Sequence, residues 1–347
     1  MFNQASELAN QDLASLLKSV TERTVANQPV RAIYFVRILA IIKWLTHADY
    51  WMLSAYFSLF SFLGCAYLAD KIARWKSELA YPAHIAFLYY PSIVFWSSGL
   101  LKESLAFGAL TFLVGTYFSR YQSRKLHAGN IFIAAVALLI IVFIKYYIAA
   151  ALIPLLIYLA LYHMSFWSKT GVSGIWKKTG LLMVVLALPI LLFLSWLSPN
   201  LSYGELWRVM QASHYEYIRL VPDGALHTLT WFGSNLDTVV NLPYLGFSGI
   251  FRPLIGEDMT FPAVLSSLEN SVLLVAAVIS FSLFFKVRRQ FSPELLAVII
   301  YISGLSIFLS YSAPNFGTLA RFKIYYVPFV IMLVVYQLKS TKILSKD

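Results

Sequence analysis

Charged residues are scarce in this chain, and the signatures of several common enzyme classes are missing. Only 12% of the 347 residues are charged, against about 25% in an ordinary soluble domain. The sequence has no Walker phosphate loop, which excludes an ATP-driven pump. It also has no HExxH, no GxSxG and no Cys/His spacing of a metal site. Its single cysteine, Cys65, lies in an apolar run, so no intramolecular disulfide can form.

Long apolar runs dominate instead. Hydrophobic residues make up 59% of the chain, and the mean hydropathy is +0.70. Uncharged runs such as 130–144 and 180–197 are long enough to cross a bilayer as helices. The sequence therefore predicts an all-α fold, a polytopic transmembrane helical bundle of about 8–10 spans. Residues 1–347 are expected to form a single integral membrane domain with interfacial helices and one long external loop, 199–262.

The net charge of +11 is sorted along the chain in a way that indicates a membrane and not nucleic acid as the partner. Basic residues gather in five short segments between apolar runs, as the positive-inside rule describes. Placing these segments in the cytoplasm puts 15 of the 27 Lys and Arg there, with 4 of the 16 Asp and Glu. The C-terminus is then cytoplasmic. The predicted spans are 50–69, 81–97, 104–120, 130–145, 147–163, 179–198, 263–285, 293–312 and 323–338.

The N-terminal region is not typical of a cleavable signal peptide, because residues 1–31 are polar. Within them Leu8, Leu13, Leu16, Leu17 and Val20 recur at roughly helical spacing, which predicts an amphipathic external or interfacial helix. Residues 32–45 carry Arg37 and Lys43 and are too short and too charged for a crossing. We expect this segment to be interfacial, with Tyr34 and Trp44 at headgroup level.

Unusual polar residues reach the external ends of several predicted spans. Ionisable groups at membrane level are costly and are site candidates by default. Together they are expected to line one external-facing cavity. The candidates for substrate binding are Lys102, Lys145, Arg252, Asp258, Asn315, Arg321 and Lys323. The candidate catalytic carboxylates are Glu103, Glu257 and Asp49.

Each candidate also has a simpler interpretation. In 97-SSGLLKES-104 a helix is expected to begin near Leu100, and its N-terminus would bind phosphate or carboxylate; alternatively, Lys102 snorkels to the headgroups and Glu103 caps the helix. Lys145, followed by two tyrosines, could be an anchor, and Arg252 could belong to an internally salt-bridged loop. Arg321 and Lys323 run against the positive-inside rule, which favours function, and arginine suits bidentate phosphate contact.

Three segments together carry a resemblance to a known group of proteins: PSIVFWSSGLLKES, GIFRPLIGED and NFGTLARFKIYYVPF. They resemble bacterial multi-spanning surface-polysaccharide proteins, the exopolysaccharide and O-antigen polymerase-like proteins and GT-C-type glycosyltransferases. The resemblance spans about residues 30–338 and implies a polyprenyl-(di)phosphate-linked sugar as donor, bound at the outer face of the inner membrane. It implies that Lys102 and Arg321, with Arg252 and Lys145, hold the phosphates.

The chain departs from the GT-C pattern at its start. Such enzymes open with a span and an external loop that bears a catalytic carboxylate. Here Glu7, Asp12 or Asp49 would have to fill that role, unless a segment precedes residue 1 or the carboxylate is Glu103 or Glu257. This departure slightly favours polymerases and ligases, which lean on arginines.

The expected chemistry is glycosyl transfer, in which cations stabilise the lipid (di)phosphate leaving group and a carboxylate deprotonates the acceptor hydroxyl. It needs no soluble cofactor; a divalent metal could be accommodated, but no ligand spacing demands one. The alternatives are a transporter or flippase of a lipid-linked glycan or anionic lipid, and a non-catalytic scaffold for other envelope-biosynthesis proteins. A flippase needs access from both faces, whereas the polar groups gather at one, which favours an enzyme.

Overall fold

A computed structural model describes residues 1–10, 30–122, 127–162, 240–257, 260–286, 292–313 and 315–344, with a few positions between 208 and 219. Across these ranges the chain is helical and contains no strand, which confirms the predicted all-α polytopic fold. In chain order the helices are α1 Phe2–Ala9, α2 Val30–Thr46, α3 Tyr50–Trp75, α4 Ala80–His84, α5 Pro91–Trp96, α6 Lys102–Gln122, α7 Ala128–Leu161, α8 Leu242–Phe251, α9 Phe261–Lys286, α10 Pro293–Ser312, α11 Phe316–Phe322 and α12 Val327–Leu344. Short 3₁₀ turns cover Ser77–Leu79 and Lys323–Tyr325, and a π-helical turn covers Ile85–Tyr89.

Four of these helices are long and apolar enough to cross a membrane: α3, α7, α9 and α10. The pair α11 and α12, bent by 66°, makes a fifth if it is one span. The described residues thus supply fewer full-length spans than the predicted 8–10. The predicted span 81–97 is divided among α4, the π-helical turn and α5, and the predicted span 179–198 lies outside the described residues.

The chain divides into two compact units. The first comprises Met1–Ser77 and Ile93–Ala149, and the second comprises Glu78–Ser92 and Ala150–Asp347. Each unit buries its own polar residues.

In the first unit, α3 and α6 pack closely because glycines line their contact. A Cβ atom on Gly64 would lie 2.7 Å from the carbonyl oxygen of Gly108, and one on Gly108 would lie 2.7 Å from the Phe60 ring. Small residues let helix backbones approach in this way in membrane proteins. The contact fixes α6, and with it the SSGLLKES segment, against α3.

The segment predicted to be interfacial, 32–45, is the helix α2, and much of it is buried in the first unit. Phe35, Leu39 and Ala40 are at most 2% exposed, and α1 packs against this helix, with the Phe2 ring 4.8 Å from the Lys43 ammonium. Of the five residues behind the predicted N-terminal amphipathic helix, Leu8 lies in α1, while 11–29 are outside the described residues.

In the second unit, α8 packs against α10 at very short range. A Cβ atom on Gly249 would lie 2.5 Å from the backbone oxygen of Ser306. The hydroxyl of Tyr326 donates to the carbonyl oxygen of Gly249 at 2.7 Å, and both Tyr325 and Tyr326 are fully buried. These contacts hold the turn Lys323–Tyr325 against the C-terminal end of α8.

Part of the predicted external loop 199–262 therefore forms the helix α8, Leu242–Phe251, which packs within the second unit. Another position of that loop, His214, is 2% exposed and stacks on the ring of Tyr311 at 5.0 Å. Its Nδ1 donates to the Tyr311 carbonyl oxygen at 2.9 Å, and burial lowers the pKa of the imidazole. Most of the loop lies outside the described residues.

Candidate functional site

Arg252 follows the last residue of α8, where its guanidinium is fixed by three neighbours. Its Nε donates to Oε1 of Glu257 at 2.7 Å, and its Nη1 donates to the hydroxyl of Tyr244. The guanidinium carbon lies 4.9 Å from the ring centroid of Phe316, a distance typical of a cation–π contact. We call these four residues the Arg252 cluster.

The loop between α8 and α9 folds back on itself to make this arrangement. Gly256 adopts φ +94°, a left-handed conformation that glycine tolerates without steric strain. The turn returns Glu257 to the loop start, where its Oε2 accepts from the backbone N–H of Leu254 at 2.7 Å. Both oxygens of Glu257 are thus occupied by this loop, and the carboxylate orients Arg252.

Arg252 keeps donors beyond those that the cluster uses. A guanidinium has five N–H donors, and Nε and Nη1 together make two hydrogen bonds to the protein. None of the residues that the structure describes accepts a hydrogen bond from Nη2 of Arg252. The side chain is 16% exposed, so it combines a fixed position with donors available to an anion.

Lys323 contacts this loop, and its ammonium donates to oxygen atoms of the protein. Its Nζ donates to the backbone oxygens of Ile250, at 3.0 Å, and Arg252, and lies 3.4 Å from Oδ1 of Asn270. We call these three oxygens the Lys323 cage. The residue is 6% exposed. Lys323 was predicted to bind substrate, and in the structure its three donors point at the cage.

Two polar residues that sequence analysis overlooked, Glu269 and Asn270, complete this region from α9. Nδ2 of Asn270 donates to the carbonyl oxygen of Pro253 at 3.0 Å. Oε1 of Glu269 accepts from the backbone N–H of Ser92 at 3.0 Å, and its carboxylate interacts favourably with the Lys323 ammonium. The signal was present, since Glu269 is the one charged residue of the predicted span 263–285.

The other candidates of the second unit have local contacts. Oδ1 of Asn315 accepts from the backbone N–H of Thr318 at 3.1 Å and caps α11. The guanidinium carbon of Arg321 lies 5.5 Å from the ring centroid of Phe322. Asp258 is outside the described residues. The substrate-binding roles of Asn315, Arg321 and Asp258 stay predictions.

The candidates of the first unit include a buried ion pair. Nζ of Lys145 donates to Oε1 of Glu103 at 2.9 Å, and each side chain is 6% exposed. Lys145 has φ −143° and ψ 61°, which are not helical values, so α7 is broken where the pair forms. The predicted span 130–145 ends at this break, and the described part of the span predicted at 147–163 begins just after it.

Around this pair the sequence motif makes a tight turn. Gly99 has φ +80°, and its N–H donates to Oγ of Ser58 at 2.7 Å, so α6 begins at Lys102, two residues beyond the predicted start. The Lys102 ammonium lies 5.9 Å from the Phe35 ring centroid. Asp49 is exposed and caps α3, accepting from the Met52 N–H at 2.8 Å.

The predicted site residues thus fall into two groups, one in each unit. Asp49, Lys102, Glu103 and Lys145 belong to the first, and the others that the structure describes belong to the second. A single cavity lined by both groups remains a prediction. Within the described residues, no group of three His, Cys, Asp or Glu side chains is arranged to hold a metal ion.

An apolar groove begins beside the Arg252 cluster. It has a volume of about 410 Å³ and is lined along one side by successive turns of α9. Its first lining residue, Ile255, lies in the loop between Arg252 and Glu257, and Leu338 of α12 lies at its border. Ser271 is its one polar lining residue. We call it the α9 groove; its other lining residues are Leu268, Val272, Val275, Ala276 and Ile279.

Comparison with known proteins adds no family to this picture. The chain matches no protein-family model, and no curated protein or solved structure is significantly similar to it. The chemistry of its own residues is therefore the basis for a functional proposal.

Proposed function

We propose that this protein binds a polyprenyl-(di)phosphate-linked sugar at the external face of the bacterial inner membrane and transfers its glycosyl group during cell-surface polysaccharide biosynthesis. The observation that carries the proposal is Arg252, a guanidinium fixed by Glu257, Tyr244 and Phe316 whose Nη2 has no acceptor among the described residues. A pre-oriented guanidinium is well suited to a phosphate, because its donors match two phosphate oxygens.

The α9 groove supports a lipid as the carrier of that phosphate. It is apolar, it lies along a helix able to cross a membrane, and it begins at Ile255 in the Arg252 loop. A lipid chain in the groove would therefore bring its headgroup to the loop that holds Arg252. A soluble sugar phosphate would gain nothing from this surface.

The transfer step follows from these positions. The acceptor hydroxyl oxygen attacks the anomeric carbon of the donor sugar, and the bond from that carbon to the phosphate oxygen breaks. The phosphate leaves with the electron pair, and Arg252 stabilises its growing charge. The hydroxyl proton passes to a carboxylate. Glu269 suits this role, because its hydrogen bonds come from Ser92 and leave it outside the Arg252 loop, whereas both oxygens of Glu257 are occupied within that loop.

The proposal requires the Arg252 loop to face the outside, and cysteine labelling measures this. Wild-type protein should react poorly with a membrane-impermeant maleimide, because the chain's one cysteine, Cys65, is 2% exposed. Ile255→Cys, at a position 65% exposed, should be labelled in intact spheroplasts. Ser77→Cys, exposed in a predicted cytoplasmic segment, should be labelled only after permeabilisation. Reversed labelling would overturn the external site.

The function itself is tested by Arg252→Lys and Arg252→Ala in cells that make the polysaccharide. We expect transfer to fall on the order of 10²-fold in the alanine variant, since a donor to the developing charge is lost. Lysine should rescue it only partly, because an ammonium lacks the planar fork of donors. The measurement is the amount and the sidedness of lipid-linked glycan, together with long surface polysaccharide, at equal levels of monodisperse protein.

Arg74→Ala is the matched control, because Arg74 also pairs with a carboxylate, Asp70 at 2.8 Å, but is 65% exposed and belongs to the first unit. It should leave both pools unchanged. Accumulation of lipid-linked units on the outside with loss of long polymer supports transfer. Accumulation facing the cytoplasm would instead identify a transporter, and unchanged pools in folded Arg252→Ala would refute the site.

A further inference from the structure

We infer that the ammonium of Lys323 takes the place of a bound cation among the three oxygens of the Lys323 cage. By holding these oxygens, Lys323 is a positioning residue for Arg252. The cage is stated from geometry alone, whereas its consequence for Arg252 rests on the proposed function. Lysine is suited to such a place, because an ammonium is a compact charge with three donors on a flexible stem. An isolated charge with 6% exposure would be costly to bury, so the arrangement of its neighbours decides what it does.

Neighbouring oxygens and carboxylates compensate part of that charge, while the nearby Arg252 guanidinium opposes it. Three oxygens surround Nζ, two from backbone carbonyls and one from Asn270. The carboxylates of Glu269 and Glu257 both interact favourably with the ammonium. The carbonyls come from the end of α8, where helix carbonyls lack partners within the helix. The ammonium therefore takes the role of a bound monovalent cation, held by a covalent tether.

The same oxygens belong to the segment that presents Arg252. One of them is the carbonyl of Arg252 itself, and another, from Ile250, lies two residues before it. Asn270 binds Lys323 through Oδ1 and the Pro253 carbonyl through Nδ2, so it connects the cage to the next residue of the loop. Loss of the ammonium would leave buried oxygens without donors, and the loop would shift to find water.

Lys323→Ala with added propylammonium tests the cage directly, because that ion replaces the three carbons and the ammonium that the substitution removes. We expect the melting temperature of purified Lys323→Ala to be lowered and then raised by several degrees as propylammonium is added. Lys323→Met is the matched control, since its side chain fills the space without donors and should not respond. Tetramethylammonium, a cation without N–H donors, and 1-propanol, an uncharged analogue of the same size, should not rescue Lys323→Ala.

Failure of propylammonium to stabilise folded Lys323→Ala would overturn the cage. If that variant does not fold, its yield during expression becomes the readout. Propylammonium in the medium should raise the yield of Lys323→Ala and not that of Lys323→Met, and equal yields would also contradict the inference.

The positioning role is tested by a second measurement, the glycan pools. Propylammonium should restore transfer by Lys323→Ala and not by Arg252→Ala. Recovery of stability without transfer, in a protein whose Arg252 variants do lower transfer, would refute positioning and keep the cage. If Arg252→Ala has no effect on glycan, the proposed function fails while the cage stands.

Discussion

Replacing Lys145 with methionine is expected to destabilise the protein by about 3–5 kcal/mol, because the buried carboxylate of Glu103 would lose the ammonium that donates to it. The pair has a contact of 2.9 Å and 6% exposure on each side, so water cannot readily compensate. The expected result is a large loss of melting temperature, measured by size-exclusion after heating the detergent-purified protein.

The double variant Lys145→Met/Glu103→Leu separates a structural pair from a functional one. It should recover most of the lost stability, because apolar groups of similar volume often replace a buried pair without penalty. Arg74→Met breaks an exposed pair and should change stability by about 1 kcal/mol or less. A single Lys145→Met variant as stable as Arg74→Met would contradict this view. A stable double variant that fails to transfer glycan would instead give the first unit a role in the site.

Gly249→Ala is expected to destabilise the second unit by about 1–3 kcal/mol, since the added methyl group overpacks a backbone contact. Its Cβ would lie 2.5 Å from the Ser306 carbonyl oxygen, and backbone cannot rotate away as a side chain can. Because the Gly249 carbonyl also accepts from Tyr326, the substitution should displace the end of α8. The melting temperature and the rate of glycan transfer should therefore both be lower in this variant.

Gly246→Ala provides the comparison, because Gly246 also lies on α8 and also faces α10. There the new Cβ would lie 3.6 Å from Ile307, an ordinary contact. Alanine generally stabilises a helix relative to glycine by about 0.5–1 kcal/mol, so this variant should be neutral or slightly stabilised. Equal effects of the two substitutions would show that α8 and α10 do not pack as closely as described.

The long helices were predictable because hydrophobic length alone determines them. Residues 50–69, 263–285 and 293–312 were predicted as spans, and each lies within a helix of the structure. The opposite charges of SSGLLKES were also recognised as unusual, but the sequence could not show that Glu103 pairs with Lys145, 42 residues away. Contacts of that range depend on tertiary packing, which periodicity does not encode.

Two residues for which the sequence predicts a chemical role also make local hydrogen bonds, and that role remains a prediction for both. Asp49 and Asn315 both cap helices, a use that short polar side chains commonly have and that spacing alone could not separate from function. Glu269 lies inside a predicted span and not at its end, and its contact to Ser92 crosses 177 residues, so the sequence does not mark it as a partner of the Arg252 region. The bend of 66° between α11 and α12, which places Lys323 under α8, likewise has no signature in hydropathy.

The Lys323 cage has a consequence for the conditions under which the protein can work. Proteins that recruit sodium or potassium to hold a loop depend on the supply of that ion, and dilution empties their sites. An ammonium attached to the chain cannot leave its site by dilution, as a free sodium or potassium ion can. The shape of the Arg252 loop should therefore not depend on the concentration of sodium or potassium.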